Sequence, residues 1–391
     1  MTLFRSLALS LICFVGVQSA ALAELAKPPF EVQAKQALML DHTTGTVLYE
    51  LNPDQQMSPS SMTKLMTAYV VFDALKEGTL KLDDELPVSE RAWRMGGSQM
   101  FLEVGERVSV ENLLRGMIVQ SGNDACVTLA EGLAGTEEFF AEQMTAKARE
   151  LGMKDSVFLN SHGLHEDGHY STARDLARLG GAIIQDHPEF YGYYSEESFA
   201  YGKDLTTGEP IVQGNRNPIL GVVRGADGLK TGYTTEGGYG LTASAKRDAT
   251  RLILVVNGLP STRTRAREAE RFLAWGFRNF ETYELVKAGQ VVDQAPVWLG
   301  LDAKVPLVVA DDVVVTLSRK GRQGLTAKLN YLAPIPATIE KGTRLGSIVF
   351  DAPDLQPVEV PVLAGAAVEK VGTFGKINSA IEYLLYGSSG D

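Results

Sequence analysis

Three short sequences, each present once and in a fixed order, constrain this chain more than any other feature: Ser61-Met62-Thr63-Lys64, then Ser121-Gly122-Asn123, then Lys230-Thr231-Gly232. Together they supply a serine hydroxyl, an amine able to act as its base, a second hydroxyl, an amide and a second cation, the groups that acyl transfer through a serine ester requires. At average composition an S-x-x-K or an S-x-N turns up roughly once in a chain of this length, and a K-T-G in roughly one chain in ten. Order and local context must therefore carry the reading.

A serine alcohol is a poor nucleophile near neutral pH, so a base must take its proton. Ser61 and Lys64 are three apart at an expected helix start, which sets them on one face about a turn apart. A lysine serves as base only with a depressed pKa. Burial, the positive end of a helix and a second cation, for which Lys230 is the natural candidate, all act in that direction. Ser121 is placed to relay a proton and the Asn123 amide to hold Lys64 and substrate. The same Ser-Gly-Asn-Asp run also suits a turn and N-cap. Lys230, Thr231 and Gly232 read as a strand edge that binds a peptide carboxylate, with Gly232 leaving room for substrate beside the backbone.

The first residues have the build of a secretory leader: Arg5 precedes the apolar run Leu7 to Val17, and Ala21-Leu22-Ala23 is a small-x-small cleavage site. Cleavage is expected after Ala23, giving an exported chain that begins at Glu24. Cys13 leaves with the leader, so Cys126 has no disulfide partner and is expected to be a small buried hydrophobe. The formal charge of −11, without a basic run, argues against nucleic-acid binding.

Residues 24–284 read as mixed α and β. Ala37 to Asp41 and Thr46 to Tyr49 form an expected hairpin, and apolar residues from Met62 to Ala74 recur at helical spacing. Further helices are expected over 110–119 and 125–133, a central strand over Leu252 to Val256, and a last helix through Glu268 to Trp275. Residues 285–373, with Val313 to Leu317, Lys328 to Tyr331 and Ser347 to Phe350 as strands, read as a small all-β domain. Over 374–391, Phe374, Ile377, Ile381, Leu384 and Leu385 form an apolar stripe at helical spacing, which suits either packing on the β-domain or contact with a membrane surface.

The three motifs resemble those of the penicillin-recognising serine enzymes. Their flanks, Pro59 to Thr67, Gln120 to Cys126, Ser171 to Asp175, Asp227 to Thr234 and Trp275-Gly276-Phe277, are similar to those of the low-molecular-mass D-alanyl-D-alanine carboxypeptidases, class C penicillin-binding proteins of the penicillin-binding protein 5 type. The resemblance implies a β-lactamase/transpeptidase-like α/β (α+β) catalytic domain, a second β-rich domain and a C-terminal amphipathic helix. It implies that Ser61 attacks the peptide bond between the last two D-alanines of a peptidoglycan stem peptide, with Lys64 as base and Ser121 and Asn123 assisting. Lys230 and Thr231 would engage the terminal carboxylate, with Arg265 nearby, and the backbone N–H groups of Ser61 and Tyr233 would hold the oxyanion. It further implies covalent binding of β-lactam antibiotics, no cofactor or metal, and a periplasmic or cell-envelope location with possible peripheral contact at the inner membrane. Tyr233 stands where some relatives have His.

His162, His165 and His169 form an H-x-x-H-x-x-x-H pattern that could suggest zinc, although their surroundings read as a loop. A class A β-lactamase would need an E-x-x-L-N segment, and the nearest match, Ser156 to Asn160, has Ser in place of Glu. A non-catalytic wall-binding protein would not need intact motifs. Endopeptidase or transpeptidase activity would share the acyl-enzyme and differ in leaving group or acceptor.

Overall fold

A computed structural model describes residues 28–203, 206–353 and 355–372. The leader, Cys13 and the tail from 374 onward lie outside the described residues.

Five strands form the central antiparallel sheet: β1 (Gln36–Asp41), β2 (Val47–Leu51), β3 (Ala226–Thr234), β4 (Gly238–Arg247) and β5 (Thr250–Leu259), in the spatial order β2-β1-β5-β4-β3. The run Leu252 to Val256 lies in β5, at the centre, where both faces are covered. Its side chains alternate: Ile253 and Val255 join one apolar cluster, Leu252, Leu254 and Val256 the other. That period of two lets one strand serve two cores.

The larger cluster packs the sheet against α1 (Lys64–Lys76), α2 (Asn123–Ala134), α3 (Glu137–Glu150) and α4 (Ala173–Asp186). Phe272, Leu273 and Trp275 of α5 (Thr262–Asn279) cover the opposite face. The last helix thus begins six residues before Glu268, where the Ser261 hydroxyl accepts from the Thr264 N–H at its N-cap.

The helix expected over 110–119 is regular only over Val110–Arg115. A π-helical turn, Gly116–Gln120, follows and ends at Ser121, whose backbone is left-handed at φ 67°. Ser121 therefore does not cap α2; Gly122 stands at the N-cap without a side-chain bond. The conformational irregularity falls on the second motif, where strained backbone is often found at sites.

A second body of strands follows: β6 (Phe280–Val286), β7 (Val291–Trp298), β8 (Lys304–Val308), β9 (Val313–Ser318), β10 (Thr326–Tyr331), β11 (Ile335–Pro336), β12 (Arg344–Ala352) and β13 (Leu355–Ala364). β6 pairs with β9 and so runs across the 284/285 division expected from composition. The other six form one sheet around an aliphatic core that includes Val305, Leu307, Phe350 and Val362. At the junction, buried Asp41 of β1 accepts from the Thr316 hydroxyl at 2.7 Å. Thr250 and Thr282 share a hydroxyl bond at 2.9 Å.

Candidate active site

The first motif sits at the start of α1. Ser60–Thr63 form a 3-10 turn, with Ser60 left-handed at φ 51°, and Lys64 opens the α-helix. The tighter turn carries Ser61 to the floor of an open cleft of about 800 Å³ while Lys64 points beneath it, 1 % exposed. Lys64 Nζ lies 3.2 Å from Ser61 Oγ, 2.7 Å from Asn123 Oδ1 and 2.6 Å from the His162 carbonyl. The Asn123 amide nitrogen donates to the Gly96 carbonyl at 2.7 Å, which fixes its oxygen toward Lys64.

Asp124 organises the rim. Its carboxylate accepts from the backbone N–H groups of Met100, Leu102 and Ala125, and so pins the segment carrying Gly97 and Ser98 to the start of α2. Cys126 is buried two residues on, its thiol donating to the Gly122 carbonyl and pushed up to about 12 by burial.

The third motif lies on β3, at the edge of the sheet and against the 3-10 turn. Lys230 is 2 % exposed and, among the described residues, has no carboxylate partner. Thr231, Gly232 and Tyr233 line the cleft. A Cβ on Gly232 would stand 2.8 Å from the Pro59 carbonyl and 3.2 Å from Met62. Its missing side chain accommodates the Ser61 turn, so close approach of chain to chain, rather than of substrate, is what demands glycine here.

Arg265 reaches the same cleft from α5 and is 7 % exposed. Its Nη1 makes only long contacts of 3.5 Å to the Gly232 and Gly240 carbonyls, and Nε has no partner. Its guanidinium carbon lies 5.8 Å from the Tyr239 ring centre, and Tyr239 in turn stacks on Tyr233 at 4.2 Å. An arginine held by an aromatic face and without a carboxylate is free to take one from a ligand. Arg263 and Arg267, its neighbours in sequence, do not line the cleft.

Burial pushes Lys64 below the ordinary lysine value, with the Arg216 charge adding to the effect. Lys230 is driven further down, by burial first and then by the charges of Lys64 and Arg216. Burial also brings Arg265 down to about 10. Arg216 itself lines the cleft. It was missed in the sequence because it stands outside the three motifs, in Asn215-Arg216-Asn217, where no local pattern marks it.

The loop with three histidines closes one wall. A Cβ on Gly163, at φ 83°, would fall 1.9 Å from the Ser60 carbonyl, so only glycine lets the loop lie against the Ser61 turn. His162 Nδ1 accepts from the Leu164 N–H, and His169 Nδ1 from Leu159 N–H while its Nε2 meets the Thr63 hydroxyl at 2.9 Å. Burial drives His162 to about 3 and His169 to about 4, so both are neutral near pH 7. His165 is exposed and lines the cleft. The pattern therefore resolves into two loop-fixing imidazoles and one facing the cleft; among the described residues no group of three or more His, Cys, Asp or Glu could hold a metal ion.

Ser156, at the position where a class A β-lactamase needs glutamate, is buried and bonded to Asp175 and Ser171 at 2.8 Å each. Glu236, in the turn after β3, is the one carboxylate among the described cleft-lining residues.

Comparison with known proteins agrees with this arrangement. Residues 22–261 match the family model described as D-alanyl-D-alanine carboxypeptidase, and residues 280–370 match that of the penicillin-binding protein 5 C-terminal domain. The chain is 38 % identical over 385 residues to the D-alanyl-D-alanine carboxypeptidase DacC of Escherichia coli, spanning 96 % of this chain and 94 % of that protein. It is 38 % identical to DacA of Haemophilus influenzae, over 89 % and 88 % of the two chains. The crystal structure of penicillin-binding protein 5 from Haemophilus influenzae superposes with a TM-score of 0.76 at 36 % identity, covering 88 % of this chain and all of that one. A serine-lysine pair beneath a cationic cleft, on this sheet and followed by this β-rich domain, belongs to a chain of the D-alanyl-D-alanine carboxypeptidase family, serine hydrolases of the bacterial cell wall.

Proposed function

We propose that this carboxypeptidase removes the terminal D-alanine from peptidoglycan stem pentapeptides through an acyl-enzyme on Ser61. The observation that carries the assignment of roles is the set of three contacts at Lys64 Nζ. Two of the three partners, Asn123 Oδ1 and the His162 carbonyl, can only accept. A neutral amine has two N–H groups for them, and its lone pair then faces Ser61 Oγ. The geometry thus favours Lys64 as a base once its proton is gone, and its depressed pKa makes that state accessible.

In the first step Ser61 Oγ bonds to the carbonyl carbon while its proton passes to Lys64. The charge that develops on the carbonyl oxygen is met by the Ser61 and Tyr233 N–H groups. Ser121 carries the proton to the leaving nitrogen, the C–N bond breaks and D-alanine departs. Water then attacks the ester, giving its proton to Lys64, and Ser61 regains a hydrogen as the acid leaves. Lys230, Thr231 and Arg265 hold the terminal carboxylate that distinguishes this substrate from an internal peptide, and Arg216 adds to the positive field. A β-lactam would acylate Ser61 by the same first step, and without a glutamate at position 156 its ester is expected to persist for hours.

The substrate lies outside the cytoplasm, so the Arg5 to Ala23 leader is read as an export signal, and the tail over 374–391 as a weak peripheral contact with the outer face of the cytoplasmic membrane. Mass spectrometry of a pentapeptide incubated with the enzyme should show loss of one D-alanine. Ser61→Ala should slow that loss by on the order of 10⁴-fold or more; unchanged release would remove Ser61 from the mechanism. Adding an acceptor amine to the same assay detects transpeptidation.

A further inference from the structure

Glu137 is a buried carboxylate that the steps above do not use. It is the first residue of α3 and 1 % exposed. A charge placed there is costly unless its oxygens are met. Three donors meet them: Oε1 accepts from the Ser161 N–H at 3.0 Å and from the Ser161 hydroxyl at 2.6 Å, and Oε2 accepts from Arg91 Nη2 at 2.8 Å. The positive end of α3 adds to this stabilisation. Arg91 comes from the short helix Glu90–Trp93, is partly exposed, and also meets the exposed Glu138 at 2.7 Å.

Ser161 is held at both of its backbone groups. Glu137 takes its N–H, and the hydroxyl of Thr67, about one turn after Lys64 on α1, donates to its carbonyl at 2.6 Å. Ser161 and Thr67 are both fully buried. The next carbonyl along the chain, that of His162, is the one that accepts from Lys64 Nζ. The His162 ring is tied to the same carboxylate: Nδ1 accepts from the Leu164 N–H, so Nε2 carries the hydrogen, and it lies 3.4 Å from Glu137 Oε1. Peptide planes are rigid, so with Ser161 clamped and the His162 ring fixed little rotation is left to the His162 carbonyl.

We propose that Glu137 is a positioning residue for the reaction: with Arg91 as its counter-ion, its carboxylate holds Ser161 and His162 so that the His162 carbonyl stays on Lys64 Nζ and the amine keeps its lone pair toward Ser61 Oγ. The proposal rests on Lys64 acting as the base. Glu137 does not touch Lys64, but its field reaches it. A buried anion favours the ammonium form of Lys64, against burial and the Arg216 charge, which favour the amine. Asp124 on α2 acts as Glu137 does, and Lys230 on β3 acts as Arg216 does. Cys126 and His162, also in this field, are neutral near pH 7. Arg91 offsets the Glu137 charge from the outer side, so the pair together sets how strongly the anion acts on Lys64.

The test is the pH dependence of kcat and KM on a soluble pentapeptide, for the mature chain, Glu24–Asp391, and its variants, with active sites counted by a labelled penicillin. Glu137→Ala, which releases Ser161 and His162, should lower kcat on the order of a hundredfold and change KM no more than about twofold. Glu137→Gln keeps an oxygen for both Ser161 bonds and removes the charge. It should retain about a tenth of kcat or more, and the acid limb of kcat/KM should move to lower pH. Arg91→Met leaves the carboxylate without its counter-ion, so the same limb should move to higher pH. A side chain that only supports the loop would reduce the number of active sites and leave both limbs in place. Limbs that coincide with the original in Glu137→Gln and Arg91→Met overturn the proposal, and so does Glu137→Ala with kcat unchanged; should that variant not fold, the two limbs decide. Lys64→Arg separates the two readings. If it hydrolyses the pentapeptide as the original does, Lys64 is not the base and the reaction scheme fails along with the proposal; if it is inactive and the limbs do not move, only the role of Glu137 fails.

Discussion

The cleft and the β-rich domain bury opposite kinds of side chain. Beneath the cleft, Lys64, Lys230 and Arg265 are buried without a carboxylate partner among the described residues. In the domain that follows residue 280, no described charged side chain is buried, and Thr282, Thr316 and Ser347 are its buried polar side chains. An unpaired buried cation costs stability, and an aliphatic core supplies it. The first region carries a destabilising arrangement that suits an anionic substrate, and the second follows the ordinary rules of packing throughout.

The contrast can be broken first at its apolar side. Phe350→Ala should cost about 3–5 kcal/mol by opening a cavity in the β-rich core. Below the variant's melting temperature the rate on a soluble pentapeptide should match the original. Calorimetry with a parallel rate assay checks both, and a rate that falls with stability would mean that the two regions are not separable.

Acid should sharpen the comparison, since all five histidines precede residue 188 and none lies in the β-rich domain. His169 falls from 6.5 to about 4 because of burial, then His162 and His165. Its folded pKa is depressed, so between those values the unfolded chain binds the extra proton and stability drops as pH falls. The loss should approach about 3 kcal/mol by pH 4. Denaturant titrations from pH 7 to pH 4 should show the cleft-bearing domain weakening first, and His169→Gln should flatten the slope. A pH-independent transition would contradict the buried neutral state.

The smallest effect has the opposite sign. Lys230→Met should abolish most activity yet raise stability by about 1–2 kcal/mol near pH 7, because it puts an apolar side chain of similar length in place of a buried amine that has no carboxylate partner among the described residues. The folded pKa of Lys230 is lowered from 10.5, so the original protein gains stability as pH rises through the interval up to that value. The advantage of the variant should therefore shrink toward pH 10. Melting temperatures at several pH values measure it, and a variant less stable than the original would show that Lys230 has a structural partner.

Much of this was legible in the chain. The motifs are local, and apolar periodicity marked β5 as a central strand and α1 as a helix because burial on a fixed face imposes a fixed period. The division between an α/β region and a β-rich region followed from composition. Less visible were departures from regular geometry: the π-helical turn before Ser121, the 3-10 turn around Ser61 and the early start of α5. Each depends on packing partners far away in the chain, which override local preference.

By itself, then, the sequence determined which groups are present for serine acyl transfer and in what order, since covalent chemistry is set by residue type. Tertiary structure decided what they can do. It brought the His162 carbonyl onto Lys64, placed Arg216 over the cleft, and turned the absent Cβ of Gly163 and of Gly232 into close contacts with the Ser61 turn. Distances of 3 Å between residues a hundred positions apart have no local signature; they arise only when the chain closes on its core, and the burial that comes with them sets both the pKa of Lys64 and the field that a substrate would meet.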